Sequence, residues 1–269
     1  MASEVEGVVD EYVEQLRHSG LDLLDTNDQK GEYAYTLNHR RSYVRTIRDI
    51  EAHVSPGAAI LEVGAFLGAV TVPLARLGYR VVGVDIPEFY SSARLRDYFR
   101  KEQVRIEPAN LRSARLPFDD AAFDAVILCE TLEHCNFNPL PALQELNRVL
   151  KVGGILYVAM PNLVSIGTRA RILLGRSPGN PIEDFFLQLD RRENMLAGLH
   201  WREYTMQETC AMLTRLGFEV VSKYFFAETM SRLTRRIAYL VPSWRPTQVV
   251  IARKTSSVEF DFWRTEANS

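Results

Sequence analysis

The 269-residue chain predicts an α/β fold: one mostly parallel sheet covered by helices on both faces. Three observations carry this expectation. Short, almost wholly apolar runs recur along the chain. Segments with apolar residues at helical spacing separate them. Breakers such as Ser55-Pro56-Gly57, Gly78 and Gly153-Gly154 stand at the changeovers. Alternation of this kind marks βαβ units. Strands buried on both faces need no polar side, which explains why the runs are apolar throughout.

The elements follow in order. Val5, Val8, Val9, Tyr12, Val13 and Leu16 give an amphipathic first helix. Residues 20–37 are polar and turn-rich, and Tyr43, Val44, Ile47 and Ile50 mark a second helix. AAILEV (58–63) is the first strand, and Leu67, Val70, Leu74 and Leu77 form the helix after it. YRVVGVD (79–85), VRIEPAN (104–110) and FDAVILC (123–129) are strands two to four. Leu140, Leu143, Leu146 and Leu150 predict a helix that Gly153-Gly154 ends, and ILYVAM (155–160) is strand five. Residues 161–200 break the rhythm and read as an inserted lid or substrate subregion. Thr205 and Glu208 then have capping-box spacing before a late helix. FEVVSKYFF (218–226) and TQVVIAR (247–253) complete seven strands. The expected organisation is an N-terminal helical extension over 1–55, a main domain over 56–253 and a loose polar tail over 254–269.

Composition bounds the function. Hydrophobic residues make up 46% and charged residues 25%, as in ordinary globular proteins. The net charge of −2 offers no positive surplus for a long polyanion, so nucleic acid is not the expected partner. Cys129, Cys135 and Cys210 form no CxxC pair, which suits a reducing compartment. The acidic start MASEVEGVVDEYVEQL is unlike a signal peptide, and no window nears the roughly 18 apolar residues of a membrane span. A cytoplasmic protein is expected.

The clearest chemical motif is ILEVGAFLGAVTVPLARLGYRVVGVDI. After Glu62-Val63, Gly64 permits a tight turn and Gly68 lets the backbone approach a ligand where a helix begins. Asp85 ends the next strand about twenty residues on, where a carboxylate can bind a ribose diol. The loop alone also fits a nicotinamide enzyme or a plain turn. The later segments LPFDDAAFDAVILCETLEH and LNRVLKVGGILYVAMPN narrow the choice. With Glu62-Val63-Gly64 through Gly68, Asp85 and Asn110-Leu111, the chain resembles the class I S-adenosylmethionine-dependent methyltransferases from about Tyr43 to Arg253. The resemblance implies a Rossmann-like seven-stranded sheet whose last hairpin reverses a strand. It places Glu62 in the cofactor site, Gly64 and Gly68 at the methionine part of S-adenosylmethionine and Asp85 on the ribose. Ile86 would lie on the adenine, with Asn110 and Leu111 nearby and backbone at Cys129 near the sulfonium. Many relatives carry aspartate where Asn110 stands, yet its amide oxygen can still accept from the adenine amino group.

CETLEHCNF (129–137) follows strand four, and ligands bind beyond the carboxyl ends of parallel strands. Glu130, Glu133 and His134 are thus expected at the mouth of the site. Either they are loop residues, or they join His200 of HWREYT in a site for a divalent cation such as Mg²⁺ or Mn²⁺. The Glu-x-x-Glu-His pattern with a later His resembles the metal-dependent O-methyltransferases of RNA 3′ ends, and ubiquinone-pathway enzymes share its first part. A cation would lower the pKa of an acceptor hydroxyl and fix its direction. His134 or His200, if not a ligand, could act as general base.

The expected activity is O-methylation of a saccharide or other diol. The PN…R…LLGRSP insertion, with Arg169, Arg171, Arg176, Arg191 and Arg192, resembles those of methyltransferases in bacterial polysaccharide and glycolipid pathways. Alternatives are metal-free transfer to nitrogen, carbon or carboxylate, a terminal-ribose RNA methyltransferase, and a non-catalytic partner protein. SRLTRRIAYLVPSWRP (231–246) reads as a core-facing helix, a homodimer contact or a peripheral membrane surface.

Overall fold

The computed structural model describes residues 4–19, 35–91, 93–113, 115–190, 199–227, 236, 238 and 240–258. The sequence runs α1 (Glu4–Ser19), α2 (Arg40–His53), β1 (Ala59–Val63), α3 (Thr71–Arg76), β2 (Arg80–Asp85), α4 (Ala93–Lys101) and β3 (Arg105–Pro108). It continues with β4 (Phe123–Cys129), α5 (Leu140–Val149), β5 (Leu150–Pro161), α6 (Ile166–Leu173), α7 (Ile182–Asp190), α8 (Met206–Arg215), β6 (Phe218–Phe226) and β7 (Thr247–Lys254). The strands form a seven-stranded sheet in the order β3-β2-β1-β4-β5-β7-β6. Only β7 runs against its neighbours, between β5 and β6, as the reversed last hairpin requires.

The period of two along each strand sorts side chains onto the two faces. Ile60, Ala125, Ile127, Ile155, Tyr157, Val249 and Ile251 meet α1 and α2 through Val5, Val9, Val13, Val44, Ile47 and Ile50. Leu61, Val126, Leu128, Leu156, Val158 and Val250 face Leu143 and Leu146 of α5 and Leu213 of α8. The helices within 1–55 therefore share one core with the sheet. Ile47 and Ile50 are fully buried, and truncating either to alanine would cost about 2–5 kcal/mol.

Three expectations change. Gly153-Gly154 does not end a helix: α5 stops at Val149, and β5 already begins at Leu150. The pair lies where the β4–β5 register shifts, and a Cβ on Gly154 would fall 2.9 Å from the Asp124 carbonyl oxygen. Close backbone approach, not helix termination, is why glycine stands there. Second, the start of the tail is fastened. The Thr255 N–H donates to the Gly217 carbonyl at 2.9 Å, and Gln144 Nε2 donates to that of Val258 at 3.0 Å. Residues 259–269 lie outside the described residues. Third, residues 35–38 are helical, although the sequence there reads as turn; residues 20–34 lie outside the description.

The insertion over 161–200 carries two helices, α6 and α7, joined by turns and irregular chain. Its base is tied down: Asn162 Nδ2 donates to the carbonyls of Ser243 and Arg245 at 2.8 Å, and Asn162 bridges Tyr204. Arg191 and Arg192 lie outside the described residues, as does most of 231–239. Of that second stretch, Ala238 is buried and Leu240 exposed, and Pro242–Trp244 make a 3-10 turn.

Candidate active site

At the carboxyl end of β1 the chain turns on Gly64, with φ at +82°. The Gly64 and Ala65 N–H groups donate to the Val84 carbonyl at 2.9 and 3.1 Å, locking the loop to β2. A Cβ on Gly64 would lie 2.1 Å from Thr131 Oγ1, so the position needs glycine for both its backbone angle and its space. Thr131 is held in turn, donating to the Cys129 carbonyl at 2.7 Å. Gly68, with φ at +77°, is crowded by Phe99 and Tyr12.

Asp85 closes β2 under this loop. Its Oδ2 accepts the N–H of Phe66 and its Oδ1 that of Ile86, both at 2.7 Å. Phe66 is a non-glycine at φ +45°, and the Asp85 bond helps hold it there. Each oxygen retains a lone pair for a further donor such as a ribose hydroxyl. Burial pushes the Asp85 carboxyl up to about 6, against the pull of those two N–H groups. Glu62 is buried beside it and accepts from the Thr71 hydroxyl. Burial raises its carboxyl to about 8. The Tyr90 hydroxyl is buried with no partner, and both carboxylates influence it. A buried orphan donor beside two buried carboxyls is what a polar nucleoside would satisfy.

Ile86 packs beside Phe66 and Phe89. Asn110 is partly diverted, because its Oδ1 accepts the Arg112 N–H at 2.9 Å and shapes the turn. Leu111 packs against the core below. The Cys129 side chain turns toward α2, where Thr46 Oγ1 lies 3.7 Å from its sulfur. Burial raises that thiol well above its usual range.

Beyond β4 the chain rises through Glu130, at φ +46°, into the 3-10 turn Leu132–His134. Glu133 carbonyl accepts the Trp201 N–H at 2.7 Å, which sets residues 199–203 against this turn. The result joins residues far apart in sequence: one ligand atom each from Glu133, His134 and His200 lies within 4.8 Å of the others. The imidazoles meet edge to face at 5.0 Å. His134 Nδ1 donates to the Leu199 carbonyl at 2.9 Å, and His200 Nδ1 to Glu203 Oε1 at 3.0 Å. Both acceptors take an N–H from Nδ1, so in the neutral form of each ring the lone pair is on Nε2. Glu130 stands outside the trio but close enough to repel Glu133.

Glu133 is fully buried, and among the described residues neither carboxylate oxygen has a hydrogen-bond partner, although Oε1 lies 3.9 Å from His134 Nε2. Burial first, and then Glu130, drives its pKa well above the normal range. Burial and the neighbouring His200 lower that of His134, which favours the neutral imidazole that binds metals. A buried carboxylate without a hydrogen-bond partner among the described residues, beside two imidazoles, fits a divalent cation.

Sheet order, glycine turn and paired carboxyls together define a class I S-adenosylmethionine-dependent methyltransferase domain. Comparison with known proteins agrees: residues 61–158 match the family described as "Methyltransferase domain". It is 31% identical over 169 residues to a probable S-adenosylmethionine-dependent methyltransferase of Mycolicibacterium smegmatis, covering 63% of this chain and 55% of the relative. It is 36% identical over 110 residues to a ubiquinone biosynthesis O-methyltransferase of Xanthomonas campestris, covering 40% of this chain and 44% of the relative. The chain thus spans about half the length of the curated relatives it matches. Among solved structures, magnesium protoporphyrin IX methyltransferase of Synechocystis with bound SAH superposes with a TM-score of 0.57 at 15% identity, covering 91% of this chain and 94% of that one.

Sequence reasoning missed Thr131, Tyr90 and Glu203. Thr131 and Tyr90 gain their roles only through folding. Glu203, three residues after His200, carried a spacing signal that could have been read.

Proposed function

We propose that the protein transfers the methyl group of S-adenosylmethionine to a hydroxyl of a diol-bearing small molecule, a saccharide above all, with a divalent cation at Glu133, His134 and His200. The observation that carries this reading is the fully buried Glu133 carboxylate, which has no hydrogen-bond partner among the described residues and lies beside two imidazoles just beyond β4. A sulfonium already leaves well, so the weak step is the nucleophile. An aliphatic hydroxyl is poor at neutral pH, and a cation in the trio would acidify and aim it. Two imidazoles with one carboxylate suit Mn²⁺ better than Mg²⁺ by ligand type. Glu130 would add negative charge beside the trio. Asp85, Glu62 and Tyr90 would hold the nucleoside, and the glycine turn its methionine part. The name of the Xanthomonas relative favours oxygen as the methylated atom.

The acceptor would meet the insertion, whose Asn180 reaches the site by accepting the His200 N–H at 2.8 Å. Ile172, Leu173 and Leu174 are exposed by 54, 86 and 71% at the tip of α6. Arg169 and Arg171 beside them donate to the carbonyls of Val164 and Gly179 at 2.8 Å and make no ion pair among the described residues. An apolar ridge with basic flanks suits an anionic membrane that presents a lipid-carried glycan. Among the described residues no helix is long and apolar enough to cross a membrane.

The test is transfer of labelled methyl from S-adenosylmethionine to saccharide and phenolic acceptors, with Mn²⁺, Mg²⁺ or a chelator. The reading expects a hydroxyl product that is lost with chelator and restored by Mn²⁺. Undiminished transfer in chelator would sink the cation's role.

A further inference from the structure

We infer that Glu203 is a positioning residue that fixes the tautomer and aim of His200 toward the cation; this rests on the trio being a cation site. Its Oε1 lies 3.0 Å from His200 Nδ1, and both side chains are largely buried, at 16 and 31% exposure. A carboxylate at that distance accepts the Nδ1 proton in a hydrogen bond. On the neutral ring the lone pair is then on Nε2, the nitrogen that can serve as a ligand.

The frame around the pair is rigid on every side. Tyr204, the next residue, is 2% exposed, and its carbonyl accepts from Gln248 Nε2 at 2.6 Å. His200 N–H is fixed to Asn180 Oδ1, and the Trp201 N–H to the Glu133 carbonyl. His200 therefore has little freedom except rotation of its ring, and Glu203 removes that.

The competing reading is an incidental ion pair on a loop. The neighbouring cation argues against it: Arg202 bonds Glu208 at 2.9 Å and leaves Glu203 to the histidine. The two imidazoles are also oriented by different groups. His134 donates to a neutral carbonyl, whereas His200 donates to a carboxylate. A carboxylate raises the basicity of the opposite ring nitrogen, so His200 would be the stronger imidazole ligand.

The experiment titrates Mn²⁺ into the full chain, without acceptor, by electron paramagnetic resonance, and records the visible spectrum of the Co²⁺-loaded protein. Glu203→Ala should weaken Mn²⁺ binding by roughly 10–100-fold and shift the Co²⁺ spectrum. Glu203→Gln, whose amide oxygen can still accept from Nδ1, should recover much of both. The metal-free melting temperature and the affinity for S-adenosylhomocysteine should stay unchanged. Wild-type Mn²⁺ affinity in Glu203→Ala would overturn this inference and leave the cation site standing. Glu203→Gln as weak as Glu203→Ala would also overturn it, because accepting the Nδ1 proton would then not be what Glu203 supplies. A wild-type chain that bound no Mn²⁺ would remove the cation site itself, and this inference with it.

Discussion

Replacing Glu62 with glutamine should make the cofactor-free protein more stable at neutral pH and flatten its pH dependence. Burial raises the folded pKa of Glu62 to about 8, while the unfolded chain keeps the ordinary 4.5. Below the lower value both states hold the proton, and Glu62 carries no penalty. Between the two values the folded state holds a proton that the unfolded state has released. Stability is then lost with each rise in pH, until the folded group ionises. At about 1.4 kcal/mol per pH unit, the loss between about pH 5 and pH 7 comes to roughly 3 kcal/mol. Glutamine keeps the shape and can still accept from Thr71, but it cannot titrate. Urea unfolding of both proteins at the two pH values isolates the difference, since Asp85 and Glu133 titrate in each. The variant should gain on the wild type by about 3 kcal/mol over that interval. Parallel stability curves would refute the reasoning. The variant should also bind S-adenosylhomocysteine more weakly, because a carboxyl kept at a cost to the fold serves the ligand.

Gly64→Ala should weaken S-adenosylhomocysteine binding by roughly tenfold or more, because a Cβ meets Thr131 Oγ1 at φ +82°; unchanged calorimetric affinity would contradict the role given to the turn. Tyr90→Phe removes a buried orphan hydroxyl, so the cofactor-free melting temperature should hold or rise. Calorimetry should show about a five- to tenfold loss of cofactor affinity in the same variant. Leu173→Asp with Leu174→Asp should abolish co-sedimentation with vesicles containing phosphatidylglycerol and leave S-adenosylhomocysteine binding intact; equal sedimentation would remove the membrane surface.

What could be read from the sequence was what local physics dictates. The apolar runs showed the strands because a sheet covered on both faces tolerates no polar side. Gly64 and Asp85 were legible because a tight turn and a strand-end carboxylate leave marks at fixed spacing. Gly153-Gly154 misled, since glycine signals both helix ends and close backbone approach, and only the Asp124 carbonyl tells them apart. Asn110 showed its residue type but not that Arg112 would claim its oxygen. The pairing of His134 with His200 spans sixty-six positions and was suggested by resemblance alone. Its geometry required the Trp201 bond to Glu133, which no local pattern announces.

The most direct measurement is anomalous diffraction from crystals soaked with S-adenosylhomocysteine and MnCl₂. The account predicts one manganese peak bounded by Glu133, His134 and His200, with the ribose of the nucleoside on Asp85 and its sulfur turned toward that peak. Manganese elsewhere, or a nucleoside lodged away from the Gly64 turn, would contradict it.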